Sequence, residues 1–192
     1  MHAINRLFVL SAAAILLAGP ALAETYTVDA EHSSVNFSVR HLVSRTAGRF
    51  NDFSGTIKYD PVHAEKTSAE IAIQVSSLDT DNEKRDGHLR SADFFNAEEF
   101  ATITFKSTKA KVKDDVIHLT GDFTMHGVTK SITLPVEILG MGAHPFNKKL
   151  QAGFATHGTI LRSDYGVNTW TDVAGVLGDE VRISLTVEAN AP

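Results

Sequence analysis

Histidine and carboxylate side chains are the groups in this sequence best suited to chemistry, because both bind metal ions and both move protons. The chain has nine histidines and 23 aspartates and glutamates among its 192 residues. Their spacing follows no metal-binding pattern, since the sequence has no HExxH segment, no HxH pair and no aspartate-rich calcium loop. His118 is predicted to lie on the polar face of a strand and His126 in a turn, both exposed. The sequence therefore predicts no metal site.

Nucleophilic catalysis has no stronger support in the sequence. No GxSxG segment occurs, and the absence of cysteine excludes thiol catalysis, CxxC redox chemistry and cysteine-ligated zinc. The carboxylates are scattered along the chain, so no pair suited to acid–base hydrolysis can be selected. A small hydrolase stays open as an alternative hypothesis, but we predict no catalytic residue.

Two polar residues could instead contact a ligand. His41 continues the alternation of Val35 and Val39 and is expected to point inward; the alternative is a histidine at a strand end bonded to the backbone. For Arg162 the alternative is an ion pair with Asp164 or another loop carboxylate. If either side chain faces a cavity, it can bind the polar end of a mostly apolar ligand. Apolar walls with a few fixed polar groups are typical of small-molecule pockets.

The elements that must position these side chains are β-strands. Apolar and polar residues alternate in segments that begin near residues 35, 69, 103, 117, 132 and 181. Two weaker runs, 50–59 and 151–162, raise the expected number to eight or nine strands. Turn-forming pairs separate the runs, namely Asp60-Pro61, Asp114-Asp115 and His126-Gly127. Many short antiparallel strands with one apolar face predict a sandwich or a closed barrel.

One connection between the strands breaks this alternation. Thr80 and Glu83 fit a capping box, which predicts a short helix over residues 81 to about 90. The connection runs from about residue 77 to 100 and carries four apolar anchors, Leu89, Phe94, Phe95 and Phe100. Long ordered connections are often functional. We therefore expect this segment to contribute to a binding site.

The first 23 residues have the pattern of a secretory signal peptide. Arg6 gives a basic start, an apolar run of about eleven residues follows, and Ala21-Leu22-Ala23 matches the small-x-small cleavage pattern. A membrane anchor is the weaker alternative, because a span needs about twenty residues. Cleavage after Ala23 shortens the chain from 192 residues to 169 and, with Arg6 lost, changes the net charge from −5 to −6. We expect a periplasmic protein with no transmembrane span in its mature form.

Composition narrows the class of the mature chain. Residues 24–192 are long enough for one domain that is stable on its own core, without disulfides. The excess of acidic over basic residues is unfavourable for nucleic-acid binding, which depends on clustered Lys and Arg. We therefore expect no nucleic-acid partner.

Four ordered motifs resemble the YceI-like family. The first reads DxxHSxVxFxVxHL at 29–42 and continues as GxFxxFxG at 48–55. The second reads RDxHLRSxDFF at 85–95, followed by IxF at 103–105. The third and fourth are GDFTxxGVTK at 121–130 and RxDYG at 162–166. The resemblance extends from Thr25 to about Ala189, so that 24–192 is interpreted as one YceI-like domain.

The resemblance implies an all-β fold, a single antiparallel lipocalin-like β-barrel of about eight strands with one or two short helices around residues 80–100. It implies an internal cavity that holds a long-chain polyisoprenoid or a similar amphiphilic lipid, such as a quinone-like molecule or a polyprenyl phosphate. It implies no cofactor besides that lipid and no enzymatic activity, and it allows a homodimer. Transport, storage and sequestration are the expected roles. The alternative is a stress-response binding module whose interior is filled by side chains.

Site residues follow from the same resemblance. Seven apolar residues are expected to line the cavity: Phe37, Val39, Phe53, Ile71, Ile73, Phe105 and Phe123. The polar end or the mouth of the cavity is expected to include His41, His88, Leu89, Phe94, Phe95, Arg162, Asp164 and Trp170.

Overall fold

The computed structural model describes residues 24–171, 173 and 175–192. The expected signal peptide, 1–23, lies outside these residues. The described chain forms ten strands and one α-helix. The strands are β1 (Glu24–His41), β2 (Ser44–Phe50), β3 (Phe53–Tyr59), β4 (Ser68–Gln74), β5 (Leu78–Asp79), β6 (Thr102–Lys113), β7 (Val116–Met125), β8 (Val128–Ala143), β9 (Leu150–Leu161) and β10 (Leu177–Asn190); the helix is α1 (Glu83–Arg90). None of the described helices is long and apolar enough to cross a bilayer.

Eight of the strands close into an antiparallel barrel in the order β10-β9-β8-β7-β6-β4-β3-β1, and β1 pairs with β10 to complete the ring. This confirms the expected barrel. The other two strands, β2 and β5, lie outside this ring. Strand β1 has 18 residues, which is long enough to pair with two different strands on the same edge. Its first residues, 24–27, pair with β3, whereas 35–41 pair with β2, and β5 adds to the outer edge of β2. The β2–β5 extension therefore stands at one end of the barrel.

Two predicted reversals connect neighbouring strands by two-residue turns. Asp114 and Asp115 join β6 to β7 with φ angles of 51° and 60°. His126 and Gly127 join β7 to β8 with φ angles of 51° and 73°. Positive φ at both central residues twists a hairpin in the direction that its strands require. These turns keep β6, β7 and β8 in the register that the alternating pattern needs.

Helix α1 begins two residues later than expected. The side chain of Asn82 caps it, because its Oδ1 accepts a hydrogen bond of 3.0 Å from the Arg85 amide. The expected cap, Thr80, is buried, and both its amide and its hydroxyl donate to the Asp86 carboxylate. Arg90 Nη1 also donates to the Leu78 carbonyl at 2.9 Å. The capping-box assignment is wrong, and these bonds attach α1 to the β2–β5 extension.

The buried side chains form two clusters. One lies towards the β2–β5 extension and α1 and includes Phe50, Phe53, Ile103, Phe123 and Tyr165. The second lies at the opposite end and includes Tyr26, Tyr59, Ile117, Phe154 and Ala189. Packing on both ends leaves the interior of the barrel between them as the place where a ligand could fit.

Candidate functional site

The barrel encloses a cavity of about 620 Å³, within the range of roughly 300–1,000 Å³ that is typical of ligand pockets. Every one of the eight barrel strands contributes to its wall. The seven apolar residues expected from the sequence all lie on this wall: Phe37, Val39, Phe53, Ile71, Ile73, Phe105 and Phe123. The interior of the described barrel therefore contains space that its side chains do not fill.

Two glycines make room for the aromatic rings of this wall. A Cβ atom at Gly121 would lie 2.6 Å from Phe105 Cζ, and one at Gly48 would lie 2.4 Å from Phe37 Cζ. Both distances are far below van der Waals contact, so a larger residue would displace the ring. The two rings therefore occupy space that a side chain at Gly121 or Gly48 would otherwise fill.

The exposed residues of the cavity wall identify its mouth. Apart from Asn36, they all lie at the end of the barrel that carries α1. They come from the end of β1, from α1 with its cap, and from the loop after β9; they are His41, Asn82, Lys84, Arg85, His88 and Trp170. His41 thus faces the cavity as expected from its alternation, but at the exposed edge of the opening.

An aromatic cluster forms one side of this mouth. The His88 ring centroid lies 5.0 Å from that of Phe94 and 5.7 Å from that of Trp170, and Phe94 and Trp170 are also 5.7 Å apart. His88 Nε2 lies 3.1 Å from Asp93 Oδ2, and the Thr169 hydroxyl donates to the Asp93 carbonyl. The connection 77–100 and the loop after β9 therefore meet at the mouth, where Leu89 and Phe95 also line the cavity.

Arg162 lines the cavity and is only 4% exposed. Its Nε donates to the Gly178 carbonyl at 2.9 Å, and its Nη1 donates to the Val167 and Thr169 carbonyls at 2.8 Å each. Its Nη2 is buried and has no hydrogen-bond partner among the described residues. Burial lowers the pKa of the guanidinium from its usual value, yet arginine keeps its charge in proteins. Arg162 is thus a fixed cation whose Nη2 has no partner among the described residues.

Asp164 lies outside this arrangement. Its carboxylate is half-exposed and pairs with Lys130, with 2.5 Å between Oδ1 and Nζ. It is not among the residues that line the cavity, and the ion pair with Arg162 considered from the sequence is not formed. The backbone carbonyls of the loop after β9 take the place that a carboxylate was expected to fill beside Arg162.

Thr156 is a polar wall residue that our sequence analysis missed. Its Oγ1 is buried without a hydrogen-bond partner in the described chain. It lies on β9, six residues before Arg162, which directly follows the strand and is about 20 Å away along the extended chain. The alternation of Phe154, Thr156, Gly158 and Ile160 contains the signal that could have found it. The cavity therefore offers unpaired polar atoms at two different depths.

Asp29, His32 and Glu188 form a separate cluster at the end of the barrel opposite the mouth. Their ligand atoms lie within 4.8 Å of one another, a geometry that could hold a cation. The hydrogen bond between His32 Nδ1 and Asp29 Oδ2, 3.0 Å long, lowers the pKa of Asp29 and raises that of His32. Asn190 and Gln151 also donate to the carboxylates of the cluster. None of the three residues lines the cavity.

Comparisons with known proteins agree with the geometry. The model of the YceI-like domain matches residues 26–189. Protein YceI of Escherichia coli O157:H7 is 39% identical over 174 residues, which cover 89% of this chain and 89% of that protein. The crystal structure of Burkholderia cenocepacia BcnA has a TM-score of 0.77 at 28% identity and covers 84% of this chain and 99% of the other. A polyisoprenoid binding domain from Saccharophagus degradans shares the fold, with a TM-score of 0.67 at 20% identity over 87% of this chain and 98% of that one. With its eight-stranded barrel, its cavity and a family match over nearly all described residues, the chain belongs to the YceI-like family.

Proposed function

We propose that this protein is a periplasmic, non-catalytic binding protein for a long-chain polyisoprenoid or a similar amphiphilic lipid. The lipid is a quinone-like molecule or a polyprenyl phosphate, held for transport, storage or sequestration. The observation that carries this proposal is the cavity of about 620 Å³, which has apolar walls and a mouth at one end. A cavity of this kind is suited to a molecule with a long apolar chain and a small polar group.

The apolar wall supplies the driving force for binding. Each buried methylene contributes about 0.8 kcal/mol, so a five-carbon isoprene unit contributes roughly 3 kcal/mol before ordering costs are subtracted. Affinity should therefore rise with each added isoprene unit until the cavity is full. Additional units would remain outside in water and add nothing.

The Nη2 of Arg162, which no described residue of the chain pairs, supports a ligand with an acceptor oxygen. A buried donor without a partner costs about 1–3 kcal/mol, and more when it is charged. A phosphate or carbonyl oxygen beside Arg162 would accept a hydrogen bond from Nη2 and remove that cost. Backbone carbonyls already hold Nε and Nη1, so Nη2 is the group that a ligand would meet. Arg162 lies at the mouth end of β9, so the polar group of the lipid would stay near the opening.

Two further points support a binding role. The solved domain from Saccharophagus degradans is described as polyisoprenoid binding, which matches the chemistry of this cavity. The described residues that line the cavity include no Asp or Glu, so a carboxylate pair for hydrolysis has no place on this wall. These points favour a carrier over a small hydrolase.

Native mass spectrometry of the protein purified from its own host, before any delipidation, tests the proposal. We expect a bound lipid of isoprenoid mass, and after its removal an affinity for synthetic polyprenyl phosphates that rises with chain length and then levels off. An empty cavity, or an affinity independent of chain length, would contradict the proposal. A changed lipid mass after incubation with the protein would instead support the hydrolase.

A further inference from the structure

Four large apolar side chains are exposed beside the mouth. Leu42, Val43, Trp170 and Val173 are 50%, 100%, 42% and 46% exposed; we call them the apolar rim. Backbone hydrogen bonds connect the two segments that carry these side chains. The Leu42 amide donates to the Val176 carbonyl at 3.1 Å, the Val176 amide donates to the Val173 carbonyl at 3.2 Å, and the Val173 amide donates to the Trp170 carbonyl at 3.3 Å. The apolar rim is therefore one continuous surface, and Trp170 belongs both to it and to the cavity wall.

The backbone of the apolar rim is strained at two of its bulky residues. Leu42 and Val43 form the two-residue turn between β1 and β2, and Leu42 has a φ of 50°. Trp170 has a φ of 62°. Bulky residues rarely adopt positive φ, and hairpin turns favour Gly, Asn or Asp, as at Asp114-Asp115 on the other end of the barrel. Backbone strain at two half-exposed apolar residues, beside the fully exposed Val43, indicates that these side chains have a role outside the fold.

Basic residues accompany the apolar rim. Arg40 and Arg45 flank the turn, and Lys84 lies on α1 at the mouth; within the described part of the chain none of them forms an ion pair with a carboxylate. Acidic residues are also near: Asp79 and Asp81 share Arg49, Asp93 lies against His88, and Glu83 is exposed in the first turn of α1. Arg40 and Arg45 pair across β1 and β2 and place two positive charges directly beside the Leu42-Val43 turn, on a chain whose net charge is −5.

We propose that the apolar rim docks the mouth onto the surface of an anionic lipid bilayer. This inference rests on the proposed function, because docking lets a lipid move between bilayer and cavity without crossing water. Exposed apolar side chains enter the boundary between head groups and acyl chains, and tryptophan favours that depth. Arginine and lysine beside them are attracted to anionic head groups. The apolar rim, the two arginines beside it and the opening of the cavity all lie at the same end of the barrel.

Flotation with vesicles of phosphatidylcholine, alone or mixed with phosphatidylglycerol, tests this docking. We expect the protein to float with the mixed vesicles, less with phosphatidylcholine alone, and less at high salt. Trp170 is the only tryptophan of the chain, so its fluorescence should shift to shorter wavelength on docking. The test variant combines Leu42→Gly with Val43→Ser, because glycine suits the positive φ of Leu42. It should bind the mixed vesicles at least about tenfold more weakly.

Phe146→Ser is the matched control. Phe146 is 88% exposed on the β8–β9 hairpin, beside Lys148 and Lys149, at the end of the barrel opposite the mouth. This variant should bind vesicles like the wild type. Loss of binding in Phe146→Ser but not in the Leu42→Gly/Val43→Ser variant would overturn the proposal, as would equal binding to uncharged vesicles. Native mass spectrometry of the same variants reports cavity lipid separately, so failed docking is distinguishable from failure of the proposed function.

Discussion

Replacing Thr156 by valine removes a buried hydroxyl without changing the shape of the side chain. Because Thr156 Oγ1 has no hydrogen-bond partner in the described chain, the native state carries the cost of its desolvation, about 1–3 kcal/mol. Thr156→Val should therefore raise the free energy of unfolding of the lipid-free protein by about 1 kcal/mol or more. For a protein of this length, a gain of about 1 kcal/mol raises Tm by roughly 2–4 °C. The expected sign is unusual, because most substitutions of interior residues destabilise.

Urea unfolding of the lipid-free protein, followed by circular dichroism, measures this effect. The midpoint should rise while the dependence of the unfolding free energy on urea stays constant. Thr156→Ser is the control, since it keeps the hydroxyl and loses one methyl group, which should lower the unfolding free energy by about 0.8 kcal/mol. A Thr156→Val variant as stable as the wild type, or less stable, would refute the reasoning. The hydroxyl would then be satisfied in solution, and the cavity would be hydrated at that depth.

Three further predictions concern other parts of the fold. Arg162→Met should lower the unfolding free energy by at least about 3 kcal/mol, because three carbonyls lose their donors; a loss below about 1 kcal/mol, measured by urea unfolding, would contradict this role. Gly121→Ala should lower the unfolding free energy by about 1–3 kcal/mol, because its Cβ would lie 2.6 Å from the Lys106 carbonyl oxygen. Gly87→Ala on α1 should instead raise the unfolding free energy by about 0.5–1 kcal/mol, because a Cβ there meets nothing within 4 Å. The hydrogen bond to Asp29 raises the pKa of His32, so the contribution of this pair to stability is present below about pH 6.5 and is lost as the pH rises through the folded pKa. In NMR titrations Asp29→Asn should move the pKa of His32 back towards 6.5. An unchanged midpoint would exclude Asp29 as the cause of the shift.

The barrel strands were predictable because each buries one face. The alternation of residues 117–125 required the side chains of Leu119 and Phe123 to point inward, and the turn pairs Asp114-Asp115 and His126-Gly127 marked where β7 begins and ends. Strand β2 was missed, because SRTAGRF contains few apolar residues. It pairs with the second half of β1 at the end of the barrel, and most of its side chains are exposed there. Periodicity carries little information about such a strand.

The wall of the cavity was more predictable than its polar groups. Inward positions follow from local alternation, whereas the partners of Arg162 depend on Gly178, which lies 16 residues away in the chain. The cap of α1 was misassigned for a similar reason. Thr80 and Asn82 both suit an N-cap, and the choice is made by Asp86, which takes both donors of Thr80. Which side chain accepts these hydrogen bonds is decided in the folded structure, and the composition of the segment does not specify it.

Pairing of the first and last barrel strands has a consequence for folding kinetics. Thr27 lies opposite Asn190, 163 positions away, and His41 opposite Leu177, 136 positions away, so the ring closes only through contacts between residues that are far apart in the chain. Contacts with such large sequence separation slow folding. Until β10 is in position, β1 and β9 present open edges that can pair with another chain. Concentration during refolding, more than the stability of the finished barrel, should therefore determine how much of the protein is recovered in native form.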